Sequence, residues 1–191
     1  MILEPRVLEG TYVRLEPAAE AHRQDMGDAL NCDLETWQIQ MASGMGAHFP
    51  AYWDAMLATE GRIPFAVRDR ANRRLAGTSS FLFVDPRNRT LEIGSTWFRP
   101  EYRGTRINPE SKLLMLAEAF GAGALRVQFG IDSRNARSQA ACRKLGAREE
   151  GVLRRHRITW TGHKRDTILF SIIDKEWPEV KARLEERLAG A

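Results

Sequence analysis

A short basic segment in the middle of the chain carries the residues with the clearest chemical signature. Arg99, Arg103 and Arg106 surround Gly104, directly before "NPESKLLMLAEAF", which has the pattern of a helix. Unpaired amides in the first turn of a helix and the positive end of its dipole both favour an anion. Gly104 lets the main chain approach a ligand closely or adopt a positive φ. The pattern predicts a main-chain phosphate cradle with arginines at its rim.

Asn108 and Pro109 open the predicted helix. Asn is a favourable N-cap, and Pro fits the first helical position because its missing donor would be unpaired there anyway. The same pair begins many helices that bind nothing. What favours a cradle is the strand "TLEIGSTWF" before it, since strand ends that feed helices commonly hold nucleotide phosphates. Neither a Walker motif nor a G-x-G-x-x-G fingerprint occurs in the chain.

The elements that must position this segment follow from hydrophobic periodicity. The first half predicts the strands "TYVRLEP", "IPFAVRD", "LAGTSSFLFVD" and "TLEIGSTWF", with the helices "AAEAHRQDMGDALN" and "HFPAYWDAMLATEG" after the first strand. The second half predicts a helix ending at Gly121, the strand "LRVQFGI", the helix "NARSQAACRKL" ending at Gly146, the strands "REEGVLRRHRIT" and "DTILFSII", and a last helix anchored by Trp177. Strand, helix and strand in the middle require a parallel crossover beside antiparallel neighbours, so the sheet is mixed.

Length and composition favour one α+β domain over residues 1–191. The chain has 43% hydrophobic and 28% charged residues and a net charge of +4, and it shows no apolar run near the roughly 18 residues of a membrane span. We see no signal peptide, and two distant cysteines, Cys32 and Cys142, show no metal-ligand spacing. These features predict a cytoplasmic protein without a metal. The basic run from Arg154 to Arg165 is either a solvated hairpin tip or an RNA-binding surface.

Two segments together resemble a known family. "EIGSTWFRPEYRGTRINPESKLLML" followed by "DSRNARSQAACRKLGAREEGVLRRH" is similar to the GNAT superfamily of acyl-CoA N-acyltransferases, and within it to the RimJ/RimL-like ribosomal-protein N-terminal acetyltransferases. The resemblance implies a GNAT-like fold: a mixed, mostly antiparallel seven-stranded sheet with helices on both faces and a splayed central parallel strand pair. It also implies transfer of an acetyl or other short acyl group from acyl-CoA to a primary amine, by direct attack in a ternary complex.

The resemblance also implies a set of coenzyme A contacts. In the family, a Q/R-x-x-G-x-G/A turn holds the pyrophosphate; here the turn is "EYRGTR", with Glu101 and Arg106 departing from the pattern. Arg106 does not adopt a positive φ easily, so we hypothesise that its guanidinium contacts a phosphate instead. The N-x-x-S element matches Asn135 and Ser138, which are also ordinary capping residues. The implied contacts are Trp97, Phe98, Arg99, Arg103, Gly104, Thr105, Arg106, Ile107, Asn108, Asn135 and Ser138.

The catalytic groups are less well defined. Amide formation from a thioester needs a neutral amine, a polarised carbonyl and a protonated or stabilised leaving thiolate. Glu92, inside an otherwise apolar strand, is the candidate base, although a solvated or arginine-paired carboxylate is an equal interpretation. Ser95 is a weaker candidate, as a donor or a water anchor. Cys142 stands where many relatives have an acidic tyrosine, so the leaving-group acid is unassigned.

The acceptor implied by the resemblance is a primary amine, on a protein N-terminus or a small molecule. Six large side chains of the first helical region would form either an acceptor groove or a core stripe: Trp37, Met41, Met45, Phe49, Tyr52 and Trp53. A homodimer is compatible with the resemblance, and neither a membrane nor nucleic acid is an expected partner. Two alternatives stay open: a coenzyme A-binding module that has lost catalysis, and an RNA- or ribosome-binding protein.

Overall fold

The computed structural model describes residues 1–190, which contain eight strands and six α-helices. The strands are β1 (Leu8–Glu9), β2 (Val13–Pro17), β3 (Ile63–Asp69), β4 (Leu75–Asp85), β5 (Thr90–Phe98), β6 (Arg126–Asp132), β7 (Arg148–Ile158) and β8 (Lys164–Ile173). The helices are α1 (Arg23–Leu30), α2 (Leu34–Trp37), α3 (Phe49–Ala58), α4 (Ile107–Gly121), α5 (Ala136–Leu145) and α6 (Trp177–Ala189). All eight strands form one sheet in the order β1-β2-β3-β4-β5-β6-β8-β7.

The sheet is mixed and mostly antiparallel, as the sequence predicts. Its one parallel pair within residues 1–190 is β5 with β6, joined by the crossover helix α4. The predicted count of seven strands is wrong by one, because β1 adds an eighth strand in which Leu8 lies opposite Leu15. Two residues are too few to show an alternating pattern, so periodicity could not indicate this strand.

Two apolar cores lie on opposite faces of the sheet. Phe65 and Val67 of β3 belong to one core, whereas Ala66 between them belongs to the other. Successive side chains of a strand point to opposite faces, so the two cores are separated by the sheet. The first core includes buried residues of α4, α5 and α6, and the second includes those of α1, α2 and α3. The predicted arrangement, with helices on both faces, is confirmed.

The predicted helices occur, with changes at their ends. α5 ends at Gly146, whose φ of 91° is the left-handed conformation of a glycine C-cap. α6 begins at Trp177, which stacks on Phe120 of α4 with ring centroids 5.4 Å apart. The predicted first helix is shorter, since α1 begins only at Arg23, and α2 was not predicted, because one helical turn gives no periodic signal.

Glu110, in the first turn of α4, fastens this helix to the turn between β1 and β2. Its carboxylate accepts the backbone N–H groups of Thr11, Tyr12 and Val13 at 2.7, 2.6 and 2.7 Å. A Cβ on Gly10 would lie 2.5 Å from the Glu110 carboxyl carbon, so only glycine fits there. These contacts fix the beginning of α4, and with it the loop that precedes α4, relative to the sheet.

Candidate active site

Strands β5 and β6 pair only where they begin. The pairing runs from Thr90 opposite Arg126 to Glu92 opposite Gln128, and then stops although β5 continues to Phe98. The two strands therefore form a fork that opens after Glu92. The predicted splay of this parallel pair is confirmed.

A β-bulge distorts the open arm of the fork. Thr78 of β4 lies opposite Trp97, but Ser80 lies opposite Gly94, so β5 has an extra residue here. Ser95 has a φ of 47°, in the left-handed region that residues other than glycine rarely adopt. Bulges and strained backbone of this kind concentrate beside functional sites, because they redirect strand groups toward a ligand.

The open side of the fork belongs to a cleft of about 390 Å³. Residues 93–98 of β5 and 129–132 of β6 line it, together with parts of α4 and α5. Among the described residues that line it, Asp132 alone carries a carboxylate, and it is paired with Arg134 at 2.8 Å. Six lining side chains are cationic: Arg103, Lys112, Arg137, Lys144, Arg165 and Arg187. The cleft therefore attracts an anionic ligand.

The loop between β5 and α4 forms one end of the cleft. Gly104 has a φ of 76°, which a side chain would strain, as its position in the predicted cradle requires. Within residues 1–190, the amides of Gly104, Thr105, Arg106 and Asn108 donate to no other group. Arg106 has a φ of −69°, so the loop avoids strain at this residue. Four free amides beside a helix N-terminus can bind a phosphate.

The predicted start of α4 is wrong by a small but informative step. The first helical residue is Ile107, and Asn108 lies inside the helix instead of capping it. The Thr105 hydroxyl accepts the Ile107 amide at 3.3 Å and thus does the work expected of Asn108. The Asn108 Oδ1 atom is consequently buried without a partner in residues 1–190, and the Trp97 Nε1 atom shares this state. Both residues line the cleft, where a polar ligand could satisfy them.

Most of the predicted coenzyme A contacts meet in this cleft. It is lined by Trp97, Phe98, Arg103, Gly104, Thr105, Asn108, Asn135 and Ser138, and also by the candidate catalytic residue Ser95. Asn135 caps α5 by accepting the Ser138 amide at 3.0 Å. This leaves its side-chain NH2 group for a ligand.

Three predicted contacts lie elsewhere. Ile107 is buried in the first core, and Arg99 donates from Nε to the Leu75 carbonyl at 3.0 Å. The Arg106 guanidinium stacks over the Tyr12 ring, 4.8 Å from its centroid, and donates to the Tyr12 hydroxyl at 3.1 Å. A phosphate contact by Arg106 stays a prediction, and it would require this stacked arrangement to open.

Glu92 lies at the vertex of the fork. Its carboxylate accepts the Gln128 side-chain N–H at 3.2 Å. A Cβ on Gly94 would lie 2.9 Å from Oε1, and one on Gly130 would lie 3.3 Å from Oε2, so two glycines make room for the carboxylate. Burial raises the Glu92 pKa, although Gln128 and then Arg157 oppose this shift. Since Leu91 and Ile93 pack in the first core, Glu92 faces the side that carries α1–α3.

Lys112 is a cleft residue that sequence reasoning missed. Its side chain is buried, and Nζ donates to Thr96 Oγ1 at 2.8 Å and to Ser79 Oγ at 3.2 Å. No carboxylate of residues 1–190 forms an ion pair with it; the titratable group beside it is the Cys142 thiol of α5. Burial lowers the Lys112 pKa to about 8, and burial raises the Cys142 pKa to about 11. Lys112 follows the helical spacing of the buried Met115, a signal that could have indicated it.

Helix α2 closes one side of the cleft. Asp33, directly before it, forms an ion pair with Arg103, and Thr36 within it accepts a hydrogen bond from Arg137 at 3.1 Å. Burial acts to raise the Asp33 pKa, but hydrogen bonds from Thr36 and Arg103 lower it overall. α2 is thereby held to the cradle loop and to α5 through two of the cationic residues.

The basic hairpin of β7 and β8 also contacts this region. Trp160 at its tip donates from Nε1 to the Trp37 carbonyl at 2.8 Å and packs on His48 with ring centroids 5.0 Å apart. Trp37 itself is buried and stacks on Trp97, with ring centroids 5.9 Å apart, so it is a core residue together with the buried Trp53. The hairpin tip is packed against the helical region, which a simple solvated tip would not be.

Comparisons with known proteins agree with this geometry. A family model described as "Acetyltransferase (GNAT) domain" matches residues 13–148. Two solved structures of assigned acetyltransferases are 38% and 37% identical to the chain, both with a TM-score of 0.90 and coverage of 98% of it; they are themselves covered over 96% and 100%, and the second is from T. thermophilus. No curated protein matches the chain by sequence.

One more distant structure shares the fold. Mycobacterium smegmatis RimJ, solved in complex with CoA-disulfide, is 21% identical, with a TM-score of 0.82 and coverage of 96% of this chain and 95% of its own. Two features are absent from residues 1–190. No group of three or more His, Cys, Asp or Glu side chains is arranged to hold a metal ion, and no helix has the length and apolar character needed to cross a bilayer.

Proposed function

The chain belongs to the GNAT acetyltransferase family, and we propose that it transfers an acetyl group from acetyl-CoA to a primary amine by direct attack in a ternary complex. We include all 191 residues in one acyltransferase domain. The observation that carries the proposal is the continuity of the cradle loop and the strand fork within one cationic cleft. Such a cleft can hold a diphosphate at one end and present a thioester at the other.

The residues present fit acetyl-CoA. The free amides of Gly104, Thr105, Arg106 and Asn108 suit the diphosphate, and Arg137 lies nearby in the lining. The unpartnered Asn108 Oδ1 and Trp97 Nε1 atoms offer an acceptor and a donor to the amides of the pantetheine arm. Beyond Glu92, β5 and β6 leave their facing backbone groups unpaired, so the arm can lie between them as a short additional strand.

Glu92 is proposed as the base. A carboxylate whose pKa is raised by burial can accept a proton from an attacking ammonium group near neutral pH. It stands at the vertex of the fork and faces the side that carries α1–α3, so the amine would arrive from that side. Thioester and amine then meet across the sheet, and holding both in place supplies much of the rate enhancement. Acetyl-CoA brings the activated carbonyl; the chain supplies position and proton transfer.

The acceptor is proposed as a primary amine of a protein N-terminus or of a small molecule. The fold shared with RimJ supports the first choice only as an analogy of fold. The packed hairpin tip at Trp160 and the segment from α2 to α3 border the side from which the acceptor would enter. Short acyl groups other than acetyl fit the same chemistry.

Calorimetric titration with coenzyme A and acetyl-CoA tests the donor, and thiol release with a panel of amines tests the reaction. Gly104→Ala should weaken acetyl-CoA binding by about 10-fold or more, because its φ of 76° is strained for alanine and the cradle must move. The matched control is Gly121→Ala, at a helix end where a Cβ meets nothing within 4 Å. Absence of binding to the unsubstituted chain would overturn the proposal.

Glu92→Gln tests the base. We expect kcat to fall by about 10²- to 10⁴-fold, with acetyl-CoA affinity nearly unchanged, because glutamine keeps the shape and loses the proton acceptor. In the unsubstituted enzyme, activity should rise with pH through a pKa above that of an ordinary glutamate, and this limb should vanish in the variant. An acidic limb that persists in Glu92→Gln would assign the base elsewhere.

A further inference from the structure

The buried ammonium group of Lys112 has no structural explanation of the usual kind. A charged group inside a protein normally has an ionic partner or several strong hydrogen bonds. Lys112 has two hydroxyl partners, Ser79 and Thr96, which are also within 2.8 Å of each other and so do not depend on it. Its third N–H has no acceptor within residues 1–190, and the residue lines the cleft. The cleft thus contains a fixed donor that awaits an electronegative atom.

The position of Lys112 narrows down which ligand atom this is. Thr96, which holds Nζ, lies on the open arm of the fork, and Cys142 faces Lys112 from α5. The first core includes Ile93, Phe98 and Cys142, so Lys112 approaches the fork from the α4–α5 face. Glu92 approaches it from the opposite face. The two groups therefore flank the place where, under the proposed function, the thioester meets the amine.

We propose that Lys112 is a catalytic residue: its ammonium group hydrogen-bonds the thioester sulfur and protonates it as the carbon–sulfur bond breaks. This inference rests on the proposed function. The amine nitrogen forms a bond to the acetyl carbon and gives up a proton to Glu92, while the electron pair of the breaking bond goes to sulfur. Lys112 gives its proton to that sulfur, which leaves as the CoA thiol, and regains a proton from solvent; Glu92 releases one, so the reaction yields one proton overall.

The chemistry favours Lys112 over its neighbour. A proton donor works best when its pKa is near the working pH, and burial lowers the Lys112 pKa to about 8. Burial raises the Cys142 pKa to about 11, which makes this thiol a weaker acid although it stands where relatives carry a tyrosine. Ser79 and Thr96 present only hydroxyls. Within residues 1–190, the Cys142 thiol is the titratable group whose charge acts on Lys112.

The decisive measurement is the pKa of the CoA thiol in the complex with the enzyme, followed by the ultraviolet absorbance of the thiolate. A parallel titration with desulfo-CoA subtracts the two protein thiols. We expect the bound thiol to titrate at least one pH unit below free CoA in the unsubstituted enzyme, and near the free value in Lys112→Met. A bound thiol with an unchanged or raised pKa in the unsubstituted enzyme overturns the proposal without any variant.

Kinetics provide the second readout. Lys112→Met should lower kcat by about 10²- to 10³-fold while the dissociation constant of acetyl-CoA changes less than about 3-fold, and it should remove the alkaline limb of the kcat–pH profile. The matched control is Lys181→Met on the exposed face of α6, which should leave kcat unchanged. Loss of affinity with kcat intact in Lys112→Met would show a binding role and overturn the proton transfer.

The outcomes separate this inference from the proposed function. An unsubstituted chain that binds acetyl-CoA and releases thiol with an amine, together with a Lys112→Met variant of equal kcat, overturns the role of Lys112 and leaves the acetyltransferase intact. An unsubstituted chain that binds no coenzyme A overturns both.

Discussion

Two buried charges on the same helix differ in what surrounds them. Glu110 and Lys112 lie two residues apart on α4, and both side chains are largely hidden from solvent. Glu110 accepts three backbone N–H groups from the turn between β1 and β2. Lys112 has two neutral hydroxyl partners and faces the cleft.

This difference separates a structural charge from a chemical one. Hydrogen bonds that are satisfied within the protein offset the loss of hydration and tie distant segments together. A buried charge without such compensation lowers stability, and it persists where a ligand or a reaction uses it. The environment of each charge, more than its burial, therefore predicts whether a substitution will affect folding or turnover.

The largest expected effect is on the structural side. Glu110→Ala should lower the free energy of unfolding by about 3 kcal/mol or more, because three buried N–H groups lose a charged acceptor. Lys112→Met should cause no loss of stability, because Ser79 and Thr96 still bond to each other and a buried charge is removed. Denaturant unfolding of both variants at neutral pH measures the two values.

Glu185→Ala is the matched control for the structural side. Glu185 is an exposed partner of Lys181 on α6, so its loss should change stability by about 0.5 kcal/mol or less. If Lys112→Met destabilised the chain as much as Glu110→Ala, Lys112 would be a second structural charge and the comparison would be broken.

Sequence reasoning recovered the parts of the site that are encoded locally. The strand before Arg99, Gly104 with its positive φ and the Asn135 cap of α5 each depend on a few neighbouring residues. The fork between β5 and β6 was expected from the family resemblance, because a parallel crossover places these strands side by side. Periodicity alone would have indicated their pairing without showing where it stops.

What was missed depends on contacts between residues far apart in sequence. The bonds of Glu110 span 97 to 99 residues, and no local pattern announces them. Asn108 looks like a helix cap until the structure shows that Thr105 provides the cap and leaves the Asn108 oxygen to the cleft. Lys112 carries a helical burial signal, but a lysine at one such position is ordinarily assumed to extend its charged end into solvent.

The second expected effect is a pH dependence that only the unpaired charge should show. The Lys112 pKa is about 8 in the folded chain and 10.5 in the unfolded chain. Between these values the unfolded state binds more protons, so the stability of the unsubstituted chain rises with pH relative to Lys112→Met. Below pH 8 the variant should be more stable by on the order of 3 kcal/mol, and the gap should close toward pH 10.5.

Chemical unfolding of both proteins across this pH range measures the gap. The comparison with the variant cancels the titration of other groups. A gap that is constant with pH would mean that Lys112 keeps an ordinary pKa, and that the hydroxyls and the cleft solvate its charge after all.

The smallest expected effect tests how Lys112 is held. Thr96→Val removes the nearer hydroxyl, at 2.8 Å from Nζ, and leaves Ser79 at 3.2 Å. Loss of one hydrogen bond should change stability by about 1 kcal/mol, while kcat should fall about 3- to 10-fold, because a freer ammonium group spends less time aimed at the sulfur.

Thr78→Val is the matched control, since the Thr78 hydroxyl is also buried in the sheet but bonds to the Phe65 carbonyl instead. It should produce a similar stability change with kcat unaffected. Equal losses of kcat in the two variants would mean that the sheet as a whole, and no particular hydroxyl, determines the rate. A loss confined to Thr96→Val would show that the position of one ammonium group, fixed from β5 across to α4, limits turnover in a way that its charge alone does not.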